Sequence, residues 1–217
     1  MGLFVYYVYL AIISASVILG FSQFYQLSKP FKLLVFFLLI TFISETMSLY
    51  FRQWIGYNTI LYHIYIPIQL LFFGIFYSFM SKQLKPIYKN RYFLVALLFC
   101  ILSILSSIFI ESVKSMPTYS LLLVVLYIVP VVLLSYRKML LSPNQNPILK
   151  QPLFWVNFGY LSFFTIAVFS LSFMIFAKYV NFIILPASII FYSNILQYGV
   201  LFNAIRLEIK NETETYG

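Results

Sequence analysis

The sequence predicts an all-α, polytopic membrane protein of seven transmembrane helices, and three observations carry that reading. The 217 residues are 63% hydrophobic and only 9% charged, with a mean hydropathy of +0.96; a soluble domain holds about half apolar and about a quarter charged residues. Apolar runs recur seven times, each near the ~20 residues that ~30 Å of hydrocarbon requires. Between them, Lys and Arg are numerous in alternate links and sparse in the others.

The first span is expected over 3–21. It lacks the basic leading segment and cleavage site of a signal peptide, so it reads as a retained helix, and Tyr6 stands where a myristoylation signal needs Ser or Thr. A link with Lys29, Pro30 and Lys32 leads to span two over 32–52, and the link Gln53–Thr59 leads to span three over 60–80. Ser81–Arg91 is the most basic link, with Lys82, Lys85, Lys89 and Arg91. Span four, 92–110, carries Cys100, Ser103, Ser106 and Ser107. Span five, 119–136, contains Pro130, which lacks the N–H that would bond one turn back and so kinks the helix or frees a carbonyl. After the turn-rich Ser142–Pro147, span six is expected over 152–177 and span seven over 183–205. Residues 1–207 thus form one transmembrane domain and 208–217 a short tail.

Eleven Lys and Arg fall in the links after spans one, three and five and at the C-terminal end, against Arg52, Lys114 and Lys178 on the other side. The positive-inside rule then places the N-terminus outside and the C-terminus in the cytoplasm of a cell membrane. Trp54, Tyr57 and Tyr62 mark the outer interface, and Tyr88, Tyr92 and Trp155 the inner one. A net charge of +9 strung between apolar runs suits an anionic bilayer, so nucleic acid is not an expected partner. The Asn211-Glu212-Thr213 sequon falls on the cytoplasmic side and is disregarded.

A shift of 125 residues lays spans two and three on six and seven without a gap: Phe51 meets Phe176, Trp54 meets Tyr179, His63 meets Ser188 and Gln69 meets Asn194. Span one pairs with span five after a shorter shift, and span four is left as a connector. Both members of each pair cross the membrane in the same sense, so the expected duplication is a 3+1+3 parallel repeat.

The richest stretch is the hairpin Thr41–Gln69. Thr41, Glu45, Ser48 and Arg52 fall at i, i+4, i+7 and i+11, one polar stripe on span two. Glu45 is the one acid placed inside the membrane, where an ionisable group costs at least ~2.5 kcal/mol. His63, the single histidine, lies on span three near the same level, and Tyr62, Tyr65 and Gln69 share a face there. Ser193, Gln197, Asn194 and Asn203 give span seven a polar side, and Ser162, Thr165, Ser170 and Ser172 give one to span six. Hydrogen bonds between helices account for such residues in most bundles. Glu45, His63, Gln69, Tyr65, Asn194 and Gln197 are nonetheless the candidates for a ligand or proton-relay site opening outward, with Ser170 and Ser188 at the same level. A carboxylate beside an imidazole suits proton relay, ligand binding or a structural pair.

Three plus one plus three spans resemble the SWEET sugar transporters, and seven spans with the N-terminus outside resemble rhodopsins. The signatures of both are missing. The nearest string to the Pro-Gln motif is Pro67-Ile68-Gln69, and no lysine lies between Lys178 and Arg206 to hold retinal. The string Leu61-Tyr62-His63-Ile64-Tyr65, after Ser44-Glu45 and an aromatic link, resembles small multi-pass bacterial proteins, which points to a bacterial inner membrane.

Enzyme chemistry is not expected. One histidine, no Asp and the lone Cys100 cannot make a three-histidine zinc site, a paired-aspartate protease or an internal disulfide. No phosphate loop and no glycine-framed serine appear. No cofactor is expected. The partners are the lipid bilayer and a small-molecule or ion ligand, in a transporter- or receptor-like role. The alternative is a subunit that packs against another membrane protein or a second copy of itself, with no small-molecule ligand.

Overall fold

The computed structural model describes residues 2–81, 90–141, 147–180 and 184–216. The basic stretch 82–89, the turn-rich 142–146 and the side chains of Lys178 and Ser188 lie outside the described residues. Seven α-helices follow in order: α1 Gly2–Ser22, α2 Lys29–Trp54, α3 Thr59–Met80, α4 Arg91–Phe109, α5 Thr118–Leu141, α6 Pro152–Val180 and α7 Ile184–Tyr216. No strand occurs among the described residues. Helices α1 to α6 are each long and apolar enough to cross a membrane, and the chain is a multi-pass membrane protein. Helix α7 starts in the expected apolar run but continues to Tyr216, through most of the segment expected as a tail. The sequence offers no Gly or Pro between Gly199 and Gly217 to stop it.

Local signals set the ends of the site-bearing helices. Pro30 stands in the first turn of α2, where its missing N–H costs nothing. Past Trp54 the chain turns at Gly56, whose φ of +85° is a conformation that a side chain resists. At α4, the Asn90 side chain accepts from Tyr92 N at 3.0 Å and caps the helix.

The chain divides into two compact units, Ser28–Val131 and the remainder, up to Leu27 and from Val132. In the first, α3 packs against both α2 and α4. Phe37 and Phe72 stack with centroids 4.0 Å apart across the α2–α3 seam. Across the α3–α4 seam a Cβ on Gly74 would stand 2.5 Å from Ala96 Cβ, so the two backbones approach as closely as small residues permit. In the second unit α7 packs against both α1 and α6. Tyr9 meets Tyr198 edge-on at 5.3 Å, Gly159 lies against Val200, and Asn157 Nδ2 donates to Ser135 Oγ at 2.9 Å.

These units each hold one of the hairpins that the 125-residue shift pairs, α2–α3 and α6–α7. Helix α1, expected beside α2 and α3, belongs instead with α6 and α7. Helix α4, expected as a connector, is a packing partner of α3. Its small residues explain this: Ala96, Cys100, Ser103 and Ser106 form its buried face, while Leu94, Leu98, Ile101, Leu105 and Ile108 face outward and suit lipid.

Candidate functional site

The polar residues of the unit Ser28–Val131 sort onto two sides of α3. Towards α2, Thr41 Oγ1 bonds the Tyr65 hydroxyl at 2.9 Å and also donates to the Phe37 carbonyl, while Tyr65 stacks on Phe37. One to two turns further along, Ser48 accepts from Asn58 Nδ2 and shares a side-chain hydrogen bond with Tyr62. Glu45 and Arg52 lie within electrostatic reach of the Tyr62 hydroxyl. Of the positions expected as a stripe, Thr41 and Ser48 are buried, Glu45 is half-buried, and Arg52 is exposed near the end of the helix. Tyr65 is a partner of Thr41, and Tyr62 and Asn58 are partners of Ser48.

His63 takes its hydrogen bonds from the other side. It is one residue after Tyr62, which at 3.6 residues per turn rotates it by about 100° towards α4. It is buried, with Nδ1 2.8 Å from Ser107 Oγ on α4 and Nε2 3.2 Å from the Ser115 carbonyl in the loop after α4. A carbonyl only accepts, so Nε2 carries the proton and donates, which leaves Nδ1 to accept from the Ser107 hydroxyl. The carboxylate to which the His63 side-chain contacts lead is thus Glu111, past the Ser107 and Ser120 hydroxyls, and not the expected Glu45. Ser107 Oγ lies 3.5 Å from Ser120 Oγ on α5, and Ser120 donates to Glu111 Oε2 at 3.3 Å. Ser106 donates to the same oxygen at 3.2 Å, and Glu111 Oε1 accepts from Tyr119 N at 2.8 Å. The last bond caps the N-terminus of α5, where a carboxylate is favoured.

The loop that carries Glu111 and Ser115 is tied to the start of α3. Thr59 Oγ1 donates to the Val113 carbonyl at 2.7 Å, and the Lys114 ammonium stands 6.0 Å from the Tyr57 ring centroid. Pro67 lies one turn beyond His63, so the His63 carbonyl receives no helical bond from position 67. Glu111 is half-buried and Ser115 exposed, whereas Ser120 and His63 are buried.

Gln69 is buried on α3 two turns beyond His63. Asn194 and Gln197 belong to the other unit, on α7. Gln197 is buried, and its Oε1, like Ser170 Oγ on α6, meets no hydrogen-bond donor among the described residues. The sequence reading passed over Glu111, Ser115 and Ser120 as site residues and gave Ser106 and Ser107 no role. The signal was present: Ser103, Ser107 and Glu111 follow at steps of four, with Ser106 on the same side.

Among the described residues no three His, Cys, Asp or Glu side chains gather at metal-binding distance. What the cluster can do is acid–base chemistry, since it joins an imidazole to a carboxylate through two hydroxyls. No family model, curated protein or solved structure matches this chain.

Proposed function

We propose that this is a cell-membrane protein of the transporter or receptor kind, with its N-terminus outside, whose ionic ligand is the proton and whose responding group is His63. The single observation that carries the reading is the pair of hydrogen bonds on the His63 ring, which fix its tautomer and leave Nδ1 as the basic nitrogen facing Ser107. Histidine is the one side chain whose charge ordinarily changes between about pH 5 and 8. The eleven-to-three distribution of Lys and Arg supports placing the turn at 55–58 and the loop at 110–117 outside, so the cluster samples the external medium.

Nucleophilic chemistry at Ser107 has weaker support. The serine lies within α4, and the backbone N–H groups around it are committed to the helix rather than offered to an oxyanion. The protein is accordingly read as a non-enzyme.

Because His63 is the chain's single histidine, selective 15N labelling of histidine reports on it alone. In the full chain reconstituted in nanodiscs, Nδ1 should change from an unprotonated to a protonated shift as the medium is acidified over the range in which the protein stays folded. A ring that keeps one protonation state across that range would remove the proposal and favour the partner-subunit reading.

A further inference from the structure

The hydrogen-bond geometry points to a proton path into this site: we propose that Glu111 collects protons at the loop and that Ser120 and Ser107 hand them to His63. The inference rests on His63 being the responding group and adds the route by which a buried ring is reached. Three contacts make a continuous line, Glu111 Oε2 to Ser120 Oγ at 3.3 Å, Ser120 Oγ to Ser107 Oγ at 3.5 Å, and Ser107 Oγ to His63 Nδ1 at 2.8 Å. Each relay atom is a hydroxyl, able to accept one proton while releasing another. Glu111 and Ser107 are half-buried and Ser120 and His63 buried, and the end of the line that lies in the loop is Glu111.

The step balances. With Glu111 protonated, its O–H donates to Ser120, Ser120 donates to Ser107, and Ser107 donates to Nδ1. Transfer breaks the Glu111 O–H bond and forms an O–H bond at Ser120. It breaks the old Ser120 O–H and forms one at Ser107, then breaks the old Ser107 O–H and forms N–H at Nδ1. The products are the Glu111 carboxylate and the His63 imidazolium, with both serines still hydroxyls. Ser120 then donates to Glu111 Oε2 and Ser107 to Ser120, so both hydroxyls turn back before a second proton can pass. The Nε2 proton stays on the ring, donating to the Ser115 carbonyl throughout.

Other charged groups lie off the line. Glu45 and Arg52 on α2 face Tyr62, and Lys114 in the loop faces the Tyr57 ring. Helix α4 presents serines, and Tyr119 at the start of α5 is exposed. The Ser120 hydroxyl also contacts the Ser103 carbonyl at 3.3 Å, which holds it in place but cannot pass a proton onward.

The test is the rate at which Nδ1 exchanges between its two protonation states, read from 15N-histidine line shapes of the full chain in nanodiscs near the titration midpoint. Ser120→Ala should slow that exchange at least about tenfold, the loss expected when a positioned proton carrier is removed. Ser120→Thr, which keeps a hydroxyl, should restore it. Glu111→Gln should slow it as Ser120→Ala does, and serves as the second variant if the alanine protein does not fold. Wild-type exchange in both Ser120→Ala and Glu111→Gln would overturn the path. His63 could still titrate in that case, so loss of the path and loss of the function proposal are separate results.

Discussion

Ser107 Oγ lies 2.8 Å from His63 Nδ1, a side-chain bond that joins α3 to α4 over 44 positions of sequence. Because Nε2 is held by a carbonyl, which only accepts, no second neutral tautomer satisfies both neighbours; the imidazolium does, with Ser107 turned from donor to acceptor. Ser107→Ala would leave a buried ring nitrogen without its donor and should cost about 1–3 kcal/mol. Ser107→Thr should cost much less. Thermal unfolding of the detergent-solubilised protein measures both, and equal midpoints for wild type and Ser107→Ala would refute the pairing.

A tighter constraint lies further along the same seam. A Cβ on Gly74 would stand 2.5 Å from Ala96 Cβ and 3.4 Å from the Phe93 backbone. Gly74→Ala should therefore destabilise the unit by about 1–3 kcal/mol, the usual cost of overpacking. Ala96→Gly placed in the same chain should recover part of the loss. Additive effects of the two changes would show that α3 and α4 do not meet there.

Orientation is open to direct chemistry. Val113 and Leu149 are both exposed, in loops expected on opposite sides of the membrane. In a Cys100→Ala background, an impermeant thiol reagent added to intact cells should modify Val113→Cys and spare Leu149→Cys. The reverse pattern would place the N-terminus inside and His63 on the cytoplasmic side.

Much of the fold was legible because lipid imposes a simple rule: a helix must be apolar for its whole crossing. The seven expected spans therefore fall on α1 to α7, with most ends within a few residues. The exceptions are the C-terminal ends of α5 and α7, which run on through polar residues that hydropathy discounts. Helical spacing alone puts Thr41, Ser48 and Arg52 on one side of α2. The partner of His63 was not. Residues 62 and 63 differ in facing by one helical step, and whether that step points at α2 or α4 depends on which helices pack together. Helices α2 and α3 do pack together, but the α3 residues that meet the α2 side are Tyr62 and Tyr65, and His63 bonds α4. The close approach of Gly74 and Ala96 brought α4 to the other side of α3 and gave the ring to Ser107 instead.

Helix α5 carries a further consequence. Its membership passes from one compact unit to the other between Val131 and Val132, directly after Pro130. Proline lacks the N–H that would close the turn onto Leu126, so the ladder of backbone bonds is interrupted where the two contact networks change hands. Cooperative blocks of structure tend to part at such seams. Pulled from its ends in a bilayer, the chain should leave the membrane in two force steps, with α5 drawn out as two pieces rather than one.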